Sequence, residues 1–343
     1  MSGSASNIYE YDSSKPIRSL LNNSGIQELL DTEGVTEVAV NRPGEIWTEK
    51  NKIWMRHDKP NLTFQSCFEL ASLLATSVAS NDNEIKNLIC PVQLPDGQRG
   101  QIVMPPVSER NCISMTFRKP SHERFTIEDY ESSGRFANYS LVSARTELRD
   151  FEKQMLQCMK NGDMVTFFKL AVLHKLNIIF GGATGSGKTT AIKMIADLYP
   201  ASRRYITIED VNEMTMPHHP NRVHLFFGKH MPAISVVESC MRMKGDHIFM
   251  SELKGDETWS YMGLLNTGHD GSLTTGHFSN CSSAWSRLTT LVKQSPVGMT
   301  LDHSYIYKTI QSTIDVVCMW EGSYLKEVYF DPEHKLRILN GDV

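Results

Sequence analysis

The stretch IIFGGATGSGKTTAI, residues 178–192, decides the fold of the chain around it. It opens on an apolar, β-branched run, passes through a glycine-rich middle, and ends in residues that favour a helix. Gly182-Ala183-Thr184-Gly185-Ser186-Gly187-Lys188-Thr189 matches GxxxxGK[ST] at every fixed position. The glycines let backbone N–H groups turn inward around phosphate oxygens. The helix that begins near Lys188 adds its partial positive charge. Lys188 is expected to reach the β- and γ-phosphates, and the Thr189 hydroxyl to hold Mg2+.

Outward from this loop, strands alternate with helices. RRYITIED, GDHIFMSEL and GSLTTGHFS read as further strands, and TTAIKMIADLY, ISVVESCMRMK and AWSRLTTLVKQ as helices between them. DFEKQMLQCMKNG and MVTFFKLAVLHK read as short helices before the loop, and TIDVVCMWEG and LKEVYF as late strands at the sheet edge. This pattern predicts an α/β domain over residues 149–343, with a mostly parallel sheet and helices on its faces.

The chain before it has a different texture. Residues 1–20 read as loosely ordered. Residues 21–120 read as a smaller α+β domain with an antiparallel sheet. VTEVAVNRPGEIWTEKNKIWMR gives three strands with turns, and a helix is expected from Ser66, with Ser66 and Glu69 at capping-box spacing. Asp96-Gly97 marks a turn between two short strands, and CISMTFRKP alternates like another. Residues 121–148, rich in Ser, Glu and Arg, are expected to be a linker.

With 343 residues the chain can hold two domains, and its composition of 40% hydrophobic and 22% charged residues is that of a soluble globular protein. The formal net charge of −4 comes with no basic stripe. The nearest cluster is Arg110, Arg118 and Lys119, so no direct sequence-specific nucleic acid binding is expected. None of the seven cysteines forms a CxxC pair, which argues against structural zinc and fits a reducing compartment. No signal-peptide core or run of about 18 apolar residues is present, so a cytoplasmic protein is expected, with any membrane attachment supplied by partners.

Acidic groups stand at or near predicted strand ends. Glu209 follows YITI and Glu252 follows HIFM. In a parallel sheet the strand C-termini converge on the ligand crevice. Glu252 is the expected metal-side carboxylate. Glu209 is the first choice for polarising the attacking water and a second candidate toward the metal. Asp210 and Glu213 could take its place or simply cap the next segment. Asp246 precedes its strand and is expected to be structural. NTGHDGSLTTGHFSN carries His269 and His277 without a supporting metal-ligand spacing. A sensing role is expected, in which a neutral histidine bonds to a phosphate oxygen or a catalytic carboxylate.

The ordered set GATGSGKTT, TIEDVNEM, MRMKGDHIFMSELKGDET and TGHDGSLTTGHFS resembles the secretion traffic ATPases, which power type IV secretion, type II secretion and type IV pili. It is most similar to the small ATPases of bacterial type IV secretion systems. The resemblance spans roughly residues 30–330 and implies a RecA-like P-loop fold. It implies that Gly182 to Thr190, Thr190 included, are the Walker A loop, and that Glu209, Asp210 and Glu213 form an acidic box. It makes Glu252 the Walker B glutamate and His277 the histidine-box residue, with His269 beside it. It further implies ATP and Mg2+, and a homohexameric ring at the cytoplasmic face of the inner membrane. That ring would work with inner-membrane components and other ATPases of the secretion machine, and would handle secreted protein or nucleoprotein only indirectly. Arginines approaching the nucleotide are expected at Arg110 and Arg118, with Arg287 a further candidate. The chain departs from the family pattern at Lys244-Gly245, at Ser251 and at Lys254, where an arginine is common. A pilus motor, or a nucleotide-gated scaffold with negligible turnover, are the competing expectations.

Overall fold

The computed structural model describes residues 14–78, 88–120, 124–139 and 145–342. The chain divides into two compact units, Met1–Pro120 and Ser121–Val343.

The first unit holds α1 (Ser14–Ser24), α2 (Ile26–Asp31), β1 (Val35–Val40), β2 (Glu45–Lys50), β3 (Ile53–Asp58), α3 (Phe64–Val78), β4 (Ile89–Gln93), β5 (Arg99–Val103) and β6 (Ser114–Arg118). The six strands form one sheet in the order β3-β2-β1-β6-β5-β4, every neighbouring pair antiparallel. Alternation sorts the side chains. Val38 and Val40 join Leu21, Leu30, Leu70 and Leu74 in the core, and Ala39 packs on the opposite side with Trp47 and Trp54. Burying each such leucine is worth about 2 kcal/mol.

Two expectations change here. Residues 14–20, read as loosely ordered, are helical; residues 1–13 lie outside the described set. Helix α3 starts at Phe64 rather than Ser66. The Thr63 hydroxyl accepts the Ser66 N–H at 3.1 Å, so the cap lies three residues earlier than the Ser66–Glu69 spacing indicated.

The second unit begins with α4 (Ile127–Ser132), a capped helix inside the segment expected to be a linker. There follow α5 (Asp150–Asn161), α6 (Met164–Leu173), β7 (Ile178–Gly181), α7 (Lys188–Ala196), β8 (Tyr205–Glu209) and β9 (Arg222–Phe226). Then come α8 (Ala233–Cys240), β10 (His247–Met250), α9 (Glu257–Leu265), β11 (Leu273–Gly276) and α10 (Ser283–Val292). The chain closes with α11 (Pro296–Thr300), α12 (His303–Thr313), β12 (Val316–Glu321), β13 (Tyr324–Tyr329) and α13 (Pro332–Asn340). The seven-stranded sheet has the order β13-β12-β7-β11-β10-β8-β9, parallel throughout except for the β12–β13 hairpin.

This is the mostly parallel RecA-like sheet the sequence pointed to, following a smaller antiparallel one in chain order. Strands β7, β8, β10 and β11 are buried along their whole length, and the first three accordingly read as short, mostly apolar runs. Strand β9 was not anticipated and forms one edge of the sheet; of the two late strands only β13 lies at an edge, because β12 pairs with β7 beside the phosphate loop. Among the described residues no helix is long and apolar enough to cross a membrane.

Candidate active site at the phosphate loop

The C-terminal ends of β7, β10 and β11 carry three loops to one place. The first runs from Gly182 to Gly187 and feeds α7, whose N-cap Gly187 makes no side-chain cap bond. Its amides are therefore not capped by a side chain and suit an anion. Gly182 sits at φ 148°, and a Cβ there would stand 2.4 Å from both Ser186 Oγ and the Trp320 carbonyl oxygen, so only glycine fits. Lys188 Nζ donates to the carbonyls of Gly182 (2.7 Å) and Ala183 (2.8 Å). Burial lowers the Lys188 pKa, with Glu252 acting in the opposite direction. Ser186 Oγ is buried without a hydrogen-bond partner. A polar atom in that state, inside a loop of this geometry, fits a phosphate oxygen. Thr189 is half-buried and Thr190 exposed, while Thr184 and Gly185 face solvent. The cleft beside the loop measures about 670 Å³ and is bounded by Gly182 to Ser186, His277, Phe278 and the β12–β13 hairpin.

Glu252 and His277 meet at this loop. Glu252 Oε1 lies 2.7 Å from His277 Nε2, and Oε2 lies 3.1 Å from Lys254 Nζ. His277 Nδ1 is 3.0 Å from the Gly182 carbonyl oxygen. A carbonyl only accepts, so Nδ1 is the donor to Gly182 and Nε2 is the ring nitrogen that faces the Glu252 carboxylate. His277 thus ties the carboxylate to the first loop glycine. Lys254 also pairs with Asp210 at 2.6 Å. Burial works against the Lys254 charge, but its bonds to Asp210 and Glu252 outweigh that and raise its pKa. Lys254 reaches both carboxylates as a point charge.

Glu209 is placed differently from expectation. It has no exposed surface. Its Oε2 accepts the N–H groups of Glu213 and Met214, both at 2.7 Å. Its Oε1 accepts the Thr207 hydroxyl at 2.6 Å and lies 3.4 Å from His224 Nδ1. Burial pushes its carboxyl pKa up, but the hydrogen bonds from His224, Met214, Thr207 and Glu213 more than offset this and hold it below the usual value. Both carboxylate oxygens are thus engaged by groups of the protein itself. The structure thus places Glu209 as the acceptor that folds the 210–214 loop, where the sequence pointed to a carboxylate polarising the water or ligating Mg2+. Of its alternates, Asp210 is paired with Lys254 and Glu213 is exposed.

His269 is also placed differently from expectation. It lies before β11, while His277 follows it. Gly276, at the far end of that strand, pairs with Gly181, so the fold carries His269 away from the loop. Its pKa is lowered by burial. Asp246 is structural as expected, accepting the Arg204 N–H at 2.8 Å. Arg110 is exposed in the turn before β6. Arg118, at the end of β6, is exposed and lies 3.5 Å from Glu37. Both belong to the first unit, and Arg287 is exposed on α10. Sequence reading missed Thr207 and His224, the donors that occupy Glu209. Thr207 sits two residues before Glu209 on the same side of β8, and RVHLF alternates as a strand should, so a signal was present.

A family model described as Type II/IV secretion system protein matches residues 139–320. The Type IV secretion system protein VirB11 of Brucella suis biovar 1 (strain 1330) is 36% identical over 321 residues, covering 89% of this chain and 88% of the relative. The chain belongs to the VirB11 family of type IV secretion ATPases. The VirB11 of Bartonella henselae (strain ATCC 49882 / DSM 28221 / CCUG 30454 / Houston 1) is 34% identical over 338 residues, 92% of this chain and 94% of the relative. The crystal structure of the VirB11 ATPase from the Brucella suis type IV secretion system, solved in complex with sulphate, superposes with a TM-score of 0.87 at 35% identity. It covers 93% of this chain and 99% of that one. VirB11 membership therefore extends over both units.

Proposed function

We propose that the chain is a Mg2+-dependent ATPase that works as a homohexameric ring and energises type IV secretion, both substrate translocation and pilus assembly. It would be held peripherally at the cytoplasmic face of the inner membrane by partners of the secretion machine, among them inner-membrane components and other ATPases. The observation that carries this reading is the convergence of Lys188, Glu252 and His277 on the loop at Gly182.

Each side chain has a task there. Lys188 exchanges the carbonyls of Gly182 and Ala183 for phosphate oxygens. Glu252, at a strand end and only partly exposed, orients the attacking water. His277 couples the position of that carboxylate to the loop through Gly182. Thr189 and Glu252 are the residues that would hold Mg2+, which supplies charge neutralisation to the phosphates when bound. Arg110 and Arg118 remain candidates for contacts to the nucleotide, and Arg287 a weaker one.

Phosphate release and binding of a fluorescent ATP analogue test this together. Wild-type protein is expected to turn over ATP with Mg2+, Lys188→Ala to lose both binding and turnover, and Glu252→Gln to bind the analogue and lose turnover. Equal turnover in wild type and Glu252→Gln would remove Glu252 from the reaction. Tight binding with no wild-type turnover would leave a nucleotide-gated scaffold.

A further inference from the structure

The β12–β13 hairpin carries none of the sequence motifs, yet it touches both loops of the site. Its turn has Gly322 at φ 55° and Ser323 at φ 70°, the left-handed pair of a two-residue hairpin connection. Ser323 N–H donates to the Ser186 carbonyl at 3.0 Å. A Cβ on Gly187 would stand 3.1 Å from Ser323 Cα. The pairing of β12 with β13 slips between Met319 and Trp320, and the carbonyl of Trp320 is the one pressed against Gly182. A bulge at that point re-aims the strand toward the loop.

Further along β13, Glu327 Oε2 accepts the Cys281 N–H at 2.8 Å. Cys281 stands four residues after His277, and its thiol donates to the Val317 carbonyl of β12 at 3.4 Å. Burial, followed by the neighbouring Glu327 carboxylate, pushes the Cys281 thiol up to about 12. Between the two, the Phe278 ring lies where a Cβ on Gly181 would be. One hairpin therefore holds the phosphate loop at its turn and the histidine loop on its second strand.

We propose that the β12–β13 hairpin is a clamp that sets the distance between the phosphate loop and His277, and that Glu327 is its positioning residue on the histidine side. Glu327 touches no reacting atom in this scheme. It acts by fixing the segment from which His277 reaches both Gly182 and Glu252. The kinetic consequence rests on the ATPase reading; the geometric one does not.

The test compares Glu327→Ala with Glu327→Gln in the full chain. The glutamine oxygen still accepts the Cys281 N–H, whereas alanine leaves it without that acceptor. Hydrogen exchange followed by mass spectrometry is expected to show faster exchange of the 277–284 segment in Glu327→Ala, with β8 and β10 unchanged, and wild-type exchange in Glu327→Gln. In steady-state assays Glu327→Ala should lose roughly tenfold in kcat with KM for ATP within about twofold, because misplacing a catalytic group by a fraction of an ångström is felt in the chemical step. Glu327→Gln should stay near wild type. The clamp is overturned if the 277–284 segment exchanges alike in wild type and Glu327→Ala. It is also overturned if Glu327→Gln is as impaired as Glu327→Ala, or if exchange rises across the whole sheet. A wild type without turnover would defeat the ATPase reading and leave the exchange result to decide the clamp.

Discussion

The Gly182 carbonyl accepts from Lys188 Nζ at 2.7 Å and lies 3.0 Å from His277 Nδ1, so one atom joins a group that must move to one that stays. When Lys188 turns to phosphate, His277 keeps its grip on the loop. His277→Ala should therefore lower kcat by about 100-fold while nucleotide affinity changes little, since removing one preorganised polar partner costs that order. Steady-state kinetics beside analogue binding checks this, and an unchanged kcat would contradict it. Glu209 predicts the opposite pattern. Glu209→Gln turns an amide N–H toward donors that already point inward, which should cost about 3 kcal/mol of stability. Thermal melting should report the loss. A variant that kept wild-type stability while losing turnover would restore Glu209 to a chemical role. The two glutamates looked alike in sequence, each following a buried strand. They differ because Thr207 and His224 face Glu209, and His224 comes from a strand fifteen residues away that the sequence reading did not foresee.

At the scale of elements, β7, β8 and β10 were legible because each is short, fully buried and dominated by apolar residues, whereas β11, Leu-Thr-Thr-Gly, was legible from its place in the alternation of strands and helices. The phosphate loop was legible because its chemistry is local: the eight residues Gly182 to Thr189 fix both the turn and the helix start. The β12–β13 hairpin was recognised as two strands but not as part of the site. Its role depends on contacts to the backbone of Gly182, Ser186 and Cys281, the last through the Glu327 side chain, and no sequence motif marks them. The other end of the sheet has its own consequence. His247 begins β10, is buried, stacks on Tyr205 and lies 2.8 Å from the Gly271 carbonyl through Nδ1. Burial pulls its pKa from 6.5 to about 4. The folded protein thus keeps His247 neutral where the unfolded chain would protonate it. Its contribution is complete above pH 6.5 and is lost as pH falls toward 4, by about 3 kcal/mol in all. Melting temperatures should fall between pH 6.5 and 4, and less steeply in His247→Asn. Equal slopes would show that this histidine does not set the acid limit.

At the scale of the whole molecule, two units with separate cores carry one chemistry. Glu252, His277 and Lys188, which meet at the phosphate loop, all lie in the second, and the candidate arginines Arg110 and Arg118 lie in the first. A chain built this way is suited to turning nucleotide state into relative motion of its parts, and a ring makes such motion cumulative. The measurement that tests this most directly is ATP turnover per subunit against protein concentration, with Mg2+ present and Lys188→Ala as the control. The account predicts that specific activity rises steeply as subunits assemble and then levels off, with the control inactive throughout. Specific activity that is constant across dilution to the monomer would show that catalysis needs no ring and would contradict the motor reading.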